Sequence, residues 1–427
     1  MKACAVAMLW ILSGMAAQAE EFVFDASEFE KKPYEFGGYL EQKFETLSLR
    51  GDSSAYRIAY PGEAPRDWLN RTTTTLELSG KTSWRGFTAD ARAQASYAAD
   101  TLLERVSYGA LMDGGLRWSA GPALTVDLGK RVQRWGKGYA WNPVGFVERP
   151  KDPVDPTASR EGFVMAGVEW NRSLAGPVSA LGLTGLAVPT NDNLNNDFGK
   201  QQNPNPAAKL YLLAWDTDVD LMWRGEGARP QSFGADFSRN LSPALEVHGE
   251  WARTLDATRT TVSESGVSSS TPLDYNAFLI GLRYLTLGEI TLIGEYYHNG
   301  GGYTADELDD YYAFMDRATV QGASASLSSK ARTVAQSGYA KANPGQDYLY
   351  LKASKAEPFG WLYGSVALTT MANIGDGSWQ IQPEVSYTGF SNLELRSRAI
   401  LLGGPENAEF TTKTSNWRLE AYARWFF

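Results

Sequence analysis

The sequence predicts an all-β fold: a transmembrane, antiparallel, up-and-down β-barrel of about 18 strands, with 16 as the alternative count. Three observations carry this expectation. Apolar and charged side chains alternate in short segments along the whole chain. The connections between those segments sort by parity, alternate ones being short and the others mostly long. Phe, Trp and Tyr make up 12% of the residues although mean hydropathy is negative, at -0.33. Strands with one face in lipid and one in water produce that combination. The same composition excludes other classes. The aromatic load is too high for a disordered chain. A single Cys allows neither a disulfide framework nor a thiolate metal site. Beyond the N-terminus, no run of 18 apolar residues offers a membrane helix.

Taken in order, residues 1–19 read as a secretory signal peptide. Lys2 supplies the positive start, Ala5 to Leu12 the apolar stretch, and Ala17-Gln18-Ala19 the small-x-small cleavage site. Cys4 lies too far upstream for a lipoprotein signal. Cleavage removes Lys2 and Cys4, taking the net charge from -9 to -10 and leaving no cysteine. An exported chain without cysteine needs a closure other than disulfides. Residues 20–427 are then one barrel, with 20–33 as a periplasmic N-terminal segment.

Strands are expected near 34–48, 73–84, 86–97, 105–118, 122–133, 162–171, 178–188, 206–215, 218–224, 231–239, 243–254, 275–286, 288–298, 347–354, 361–373, 378–388, 391–402 and 415–427. Phe87, Ala89, Ala91, Ala93, Ala95 and Tyr97, for example, interleave with Asp90, Arg92, Gln94 and Ser96. Charges at every second position would unfold a dry core, but they suit a wet lumen. The short connections fall at Arg85, Asp216-Thr217, Asn240–Ser242 and Leu287, among others. The long ones are 49–72, 134–161, 189–205, 255–274, 299–346 and 403–414. Pro383 is awkward within a strand, since it has no N–H for the ladder.

The final strand alternates strictly. Leu419, Ala421, Ala423, Trp425 and Phe427 share one face, against Arg418, Glu420, Tyr422 and Arg424 on the other. It resembles the C-terminal recognition strand of bacterial outer-membrane barrels, with its terminal Phe. That resemblance implies an outer-membrane insertion signal read by the barrel assembly machinery, with membrane lipid and lipopolysaccharide as surroundings.

Two long connections stand out. From Gly129 to Arg160, seven cations face three carboxylates, a net +4 in a strongly acidic chain. Trp135, Tyr139, Trp141 and Phe146 are interleaved with those cations, and four prolines stiffen the segment. A basic, aromatic loop (134–161) entering the pore would narrow it and favour anions, or stack on sugar rings. The alternatives are a brace against the wall and an exposed epitope. Arg131, Arg134, Lys137, Trp135, Tyr139 and Trp141 are the candidate constriction or solute-contact residues. The pattern Arg131-x-x-Arg134-Trp135-Gly136 … Trp141-Asn142-Pro143 … Asp152-Pro153 resembles a segment of porin-like outer-membrane families, some grouped near the alginate exporters. It covers roughly 30 residues and implies a pore without naming a cargo.

In 299–346, Thr304-x-x-Glu307 is a capping box ahead of a helix carrying Leu308, Tyr311, Tyr312 and Met315. The Ala/Ser-rich stretch from Gly322 to Ala335 is expected to lack fixed structure.

Catalytic readings find no motif. His248 and His298 stand alone, G-x-S-x-G is absent, and the Asn191–Asp197 run lacks the Gly and Glu of a calcium loop. The expected function is a porin-like channel for small hydrophilic solutes. The alternatives are a polysaccharide exporter or a structural barrel that sheathes or anchors a partner protein. No enzyme activity, cofactor, metal or nucleic-acid partner is expected.

Overall fold

A computed structural model describes residues 33–102, 106–199 and 201–427. The signal peptide and all but the last residue of the 20–33 segment lie outside the described residues. The chain forms one sheet of 18 antiparallel strands. They are β1 (Tyr34–Leu49), β2 (Trp68–Trp84), β3 (Phe87–Asp100), β4 (Val106–Ser119), β5 (Leu124–Arg131), β6 (Phe163–Ser173), β7 (Val178–Ala187), β8 (Pro206–Ala214) and β9 (Thr217–Arg224) in the first half. The second half has β10 (Ser232–Ser242), β11 (Leu245–Val262), β12 (Ser268–Leu285), β13 (Ile290–Asn299), β14 (Asp347–Ala356), β15 (Gly364–Asn373), β16 (Trp379–Phe390), β17 (Leu393–Gly403) and β18 (Ser415–Phe426).

Each strand pairs with the next, and β1 closes on β18 from Tyr39↔Phe426 to Leu49↔Ser415. At the seam, Phe427 N–H donates to the Gly38 carbonyl at 3.1 Å and Gly38 N–H donates back at 3.0 Å. Closure leaves no edge with unpaired backbone for lipid to meet, which is the condition for a sheet to cross a bilayer.

The outer face is apolar and ringed by aromatics. Near the short turns Phe87 stacks on Trp118 at 6.1 Å, and Trp361 on Tyr387 at 5.6 Å. At the other end Trp68 meets Trp417 edge-on at 5.1 Å. Two such girdles mark the interfaces of a membrane barrel. The turns of the first end are tight. Arg85-Gly86 and Trp215-Asp216 both have positive φ at the two central residues, the hairpin geometry that matches strand twist. Pro383 sits where the β16–β17 pairing skips from Ile381↔Leu401 to Glu384↔Arg398, so no β17 register partner faces it.

Two expectations are corrected. The connection 255–274 is not a long loop: β11 and β12 continue through most of it and turn within 263–267. Each strand has 18 residues, so the hairpin runs roughly 60 Å and stands clear of β10, whose pairing ends at Thr254. A bulge at Thr254/Ala257, with Asp256 at φ 53°, marks where it leaves the wall. The Gly322–Ala335 stretch is also ordered, containing a helix, Ala325–Ala335, capped by Ser324.

That helix belongs to an outer cap. The β1–β2 connection contributes α1 (Ser54–Ala59), and the β13–β14 connection contributes α2 (Ala305–Thr319) and α3 (Ala325–Ala335). The capping box of α2 forms as the sequence implies: Thr304 Oγ1 accepts from Glu307 N–H, and the Glu307 carboxylate accepts from Thr304 N–H. The cap has its own core of Leu308, Tyr312, Phe314, Met315 and Tyr339, which also packs against Val262 of the long hairpin.

Candidate functional site

The fifth connection, residues 132–162, does not stand outside the barrel. It folds into the lumen, and the wall holds it there chiefly by accepting hydrogen bonds from its backbone. Glu250 of β11 takes Lys137 N–H and Gly138 N–H, each at 2.6 Å, and Val144 N–H at 3.3 Å. Glu295 of β13 takes Ala140 N–H at 2.8 Å and Tyr139 N–H. Both carboxylates are almost fully buried, and His248 Nε2 lies 3.0 Å from Glu295. A run of free N–H groups around a carboxylate is a nest, and it satisfies a buried charge, here with the Lys151 ammonium acting on both carboxylates as well. The two glycines make it possible. Gly136 has φ +96°, and a Cβ there would lie 2.6 Å from the Glu250 carboxylate. At Gly138 a Cβ would strike the Trp141 carbonyl at 2.2 Å.

The loop is also tied to itself and to the far wall. Glu148 accepts from Trp135 N–H at 3.1 Å and pairs with Arg160 at 2.5 Å, cross-linking the outgoing and returning legs. Burial pushes the Glu148 carboxyl up, while Arg160 pulls it back. Lys151 donates to the Gly138 carbonyl. Beyond the nest, Asp155 pairs with Arg398 at 3.4 Å and Arg396 at 3.6 Å, both on β17. On β16, Gln382 donates to the Val154 carbonyl at 3.0 Å. Ser159 accepts from Arg92 of β3. The loop therefore touches the wall on β3, β11, β13, β16 and β17. Its apolar side, Trp135, Val144, Phe146 and Val147, packs on Met165, Leu186, Met222 and Ala252 of the inner wall. Part of the lumen surface is thus apolar, which a strict charged alternation does not anticipate.

The candidate residues fall into three groups. Arg131, only 5% exposed, pairs with Asp127 and Asp90 at 2.6 Å and Asp113 at 3.1 Å. Lys137 pairs with Asp220 at 2.9 Å and approaches Asp236 at 3.9 Å. These cations are spent on the wall. Trp135 and Trp141 are buried. Trp141 stacks on Tyr297 at 5.2 Å, and its indole N–H donates to Asn343 of the outer cap at 3.1 Å. Tyr139 is half-buried against His248 at 5.4 Å. Arg134 alone of the six is exposed, and it has no ion pair among the described residues. It borders a lumen cavity of about 490 Å³, together with Lys81, Arg117, Lys209 and the Arg131 cluster.

Glu250 and Glu295, the anchors, are not among the residues the sequence singled out. In an alternating strand they look like any other lumen carboxylate. The available signal was in the loop, where Gly136-x-Gly138 offers consecutive N–H groups to an anion. Of the terminal strand, Leu419, Ala421, Trp425 and Phe427 are exposed on the outer face, Ala423 less so, while Glu420 and Tyr422 are buried inside.

An even-stranded closed barrel with two aromatic girdles, short turns at one end and a loop folded into its lumen is of the outer-membrane type. Solved structures share the architecture. The chain is similar to Pseudomonas aeruginosa OpdQ, at 11% identity with a TM-score of 0.53, covering 93% of this chain and 99% of that one. It is similar also to Pseudomonas aeruginosa OccK5 (OpdH), at 11% identity with a TM-score of 0.52, covering 92% and 97%. For OccK11 (OpdR) of the same organism the figures are 11%, 0.52, 92% and 95%. At such identity the likeness establishes the fold. No protein-family model matches the chain, and no curated protein matches it.

Proposed function

We propose that this barrel is an outer-membrane channel for small hydrophilic solutes, with residues 132–162 as its constriction. The observation that carries the reading is the nest. Five backbone N–H groups of the loop are bound to Glu250 and Glu295 on the inner wall, so the loop narrows the lumen permanently. An 18-stranded barrel is wide enough for an aqueous path beside such a loop. Selection then follows size and the charges left uncompensated at the rim of the loop. Arg131 and Lys137 are matched by carboxylates, so among the candidate residues Arg134 is the cation left without an ion pair to act on a passing anion. Export of an anionic polymer has less support, because the lumen arginines are matched too: Arg398 and Arg418 share Glu420 at 2.6 and 2.8 Å, and Arg424 holds Glu41 at 2.6 Å.

The test is ion selectivity of the refolded barrel in a planar bilayer. Arg134→Ala should lower the anion-to-cation permeability ratio by roughly twofold without changing thermal stability. A ratio identical to wild type would remove Arg134 from the filter. An absence of any conductance from correctly folded barrel would remove the channel reading itself.

A further inference from the structure

A cavity of about 430 Å³ lies in the outer cap, lined by α1, α2, the turn around Tyr339, and the β17–β18 connection, 404–414. The lumen site uses none of its lining. One side is aromatic. Tyr303, Tyr339 and Tyr311 form a parallel stack at 4.0 and 4.1 Å, with interplanar angles of 7° and 6°. Tyr311 is the end ring of that stack, half-buried, and it borders the cavity beside Met315. The other side carries two ammonium groups, Lys341 and Lys413, neither in an ion pair among the described residues. Lys413 Nζ donates to the Ala342 carbonyl at 3.5 Å and lies 4.7 Å from the Phe410 ring, with the charges of Glu409 and Asp152 acting on it from further off. Burial weakens its hold on a proton and Glu409 and Asp152 restore part of it; a bound anion adds to that compensation.

The remaining charged group is Glu409, and its oxygens are already occupied. It accepts from Tyr348 at 2.5 Å, Asn373 at 2.9 Å and Asn343 at 3.2 Å. It is therefore not available to bind a ligand cation. An aromatic side and two cations without a direct ion pair, in one cavity, are complementary to one ligand chemistry: a small molecule with a planar ring and an anionic substituent.

We propose that this cap pocket is a capture site for ring-bearing anions, the ring lying on Tyr311 and the anionic group between Lys341 and Lys413. The capture role rests on the channel reading given above; the binding itself does not. A second link makes the position useful. Asn343, which holds Glu409, is also the acceptor for the Trp141 indole of the lumen loop, so the pocket floor and the constriction share one side chain.

The experiment is calorimetric titration of the full-length barrel in detergent with benzenesulfonate, alongside methanesulfonate, which lacks the ring, and benzyl alcohol, which lacks the charge. Benzenesulfonate should bind, and both controls at least about tenfold more weakly. Lys341→Gln, at an exposed side chain, and Lys413→Gln should each weaken benzenesulfonate about tenfold while leaving the weak binding of uncharged benzyl alcohol unchanged. Tyr311→Leu should weaken it as well, with the heat-modified gel shift of the barrel retained. No benzenesulfonate binding, equal binding of all three probes, or binding indifferent to both lysine variants would overturn the proposal. Bilayer recordings on the same samples keep the two readings apart. Conductance without binding ends the capture site alone, whereas binding without conductance leaves a cap ligand site on a barrel that is no channel.

Discussion

Loop 132–162 and loop 300–346 are the two longest connections, and they are held by opposite means. The first makes little secondary structure. Its position depends on wall carboxylates that grip backbone N–H groups and on ion pairs reaching β17. The second builds its own small domain, two capped helices over a core of Phe314, Met315, Tyr312 and Leu308, and leans on the β11–β12 hairpin. The contrast follows from surroundings. Inside the lumen a segment meets a wall of fixed charges, and buried polar pairing decides where it lies. Outside, a buried apolar core holds the loop in one shape, helped by Arg259 of the hairpin, which pairs with Glu307 at 3.0 Å. A change to wall charge should therefore act first on the inner loop and a change to the cap core first on the cap, the Trp141–Asn343 hydrogen bond being a contact between them.

The largest effect is expected from Phe314→Ala. Phe314 is fully buried against Gly266 of the hairpin, and such truncations cost about 3–5 kcal/mol. Limited proteolysis should cut within 300–346 many times faster than in wild type while single-channel conductance stays constant. A conductance change would mean that the two loops are not independent. Arg131→Ala comes next. It leaves Asp90, Asp113 and Asp127 facing one another in the lumen. Removing one partner of a buried charge cluster costs about 3 kcal/mol, so the barrel should unfold at a lower denaturant concentration and turn toward cations in reversal-potential measurements. The smallest is Thr304→Ala, which removes half of the capping box and should cost about 1 kcal/mol. Hydrogen exchange in the first turn of α2 should rise, with exchange in residues 132–162 unaltered.

The same contrast explains what was legible in the sequence. Strands that divide lipid from water leave a period of two, and for that reason the 18 segments emerge close to their observed bounds. Thr258, Thr260, Ser268 and Ser270 are strand residues too, but they lie beyond the membrane with polar side chains on both faces. They carry no such period and read as loop. The helix at Ala325–Ala335 was hidden for a related reason: its stripe is Ala331, Leu327 and Val334, too thin to signal an apolar face. The inner loop was recognisable as special from its cations and aromatics. Its anchors were not, because a carboxylate that binds a nest has the same place in the alternation as one that faces water.

That these anchors hold the constriction is the central claim, and single-channel conductance of the Glu250→Ala/Glu295→Ala double variant tests it most directly. Five loop N–H groups lose their acceptors, each at about 1–3 kcal/mol when left buried, while β11 and β13 keep their ladder. The account predicts a folded, heat-modifiable barrel whose conductance rises several-fold and fluctuates as the loop leaves the lumen. A folded double variant with the wild-type conductance would contradict it.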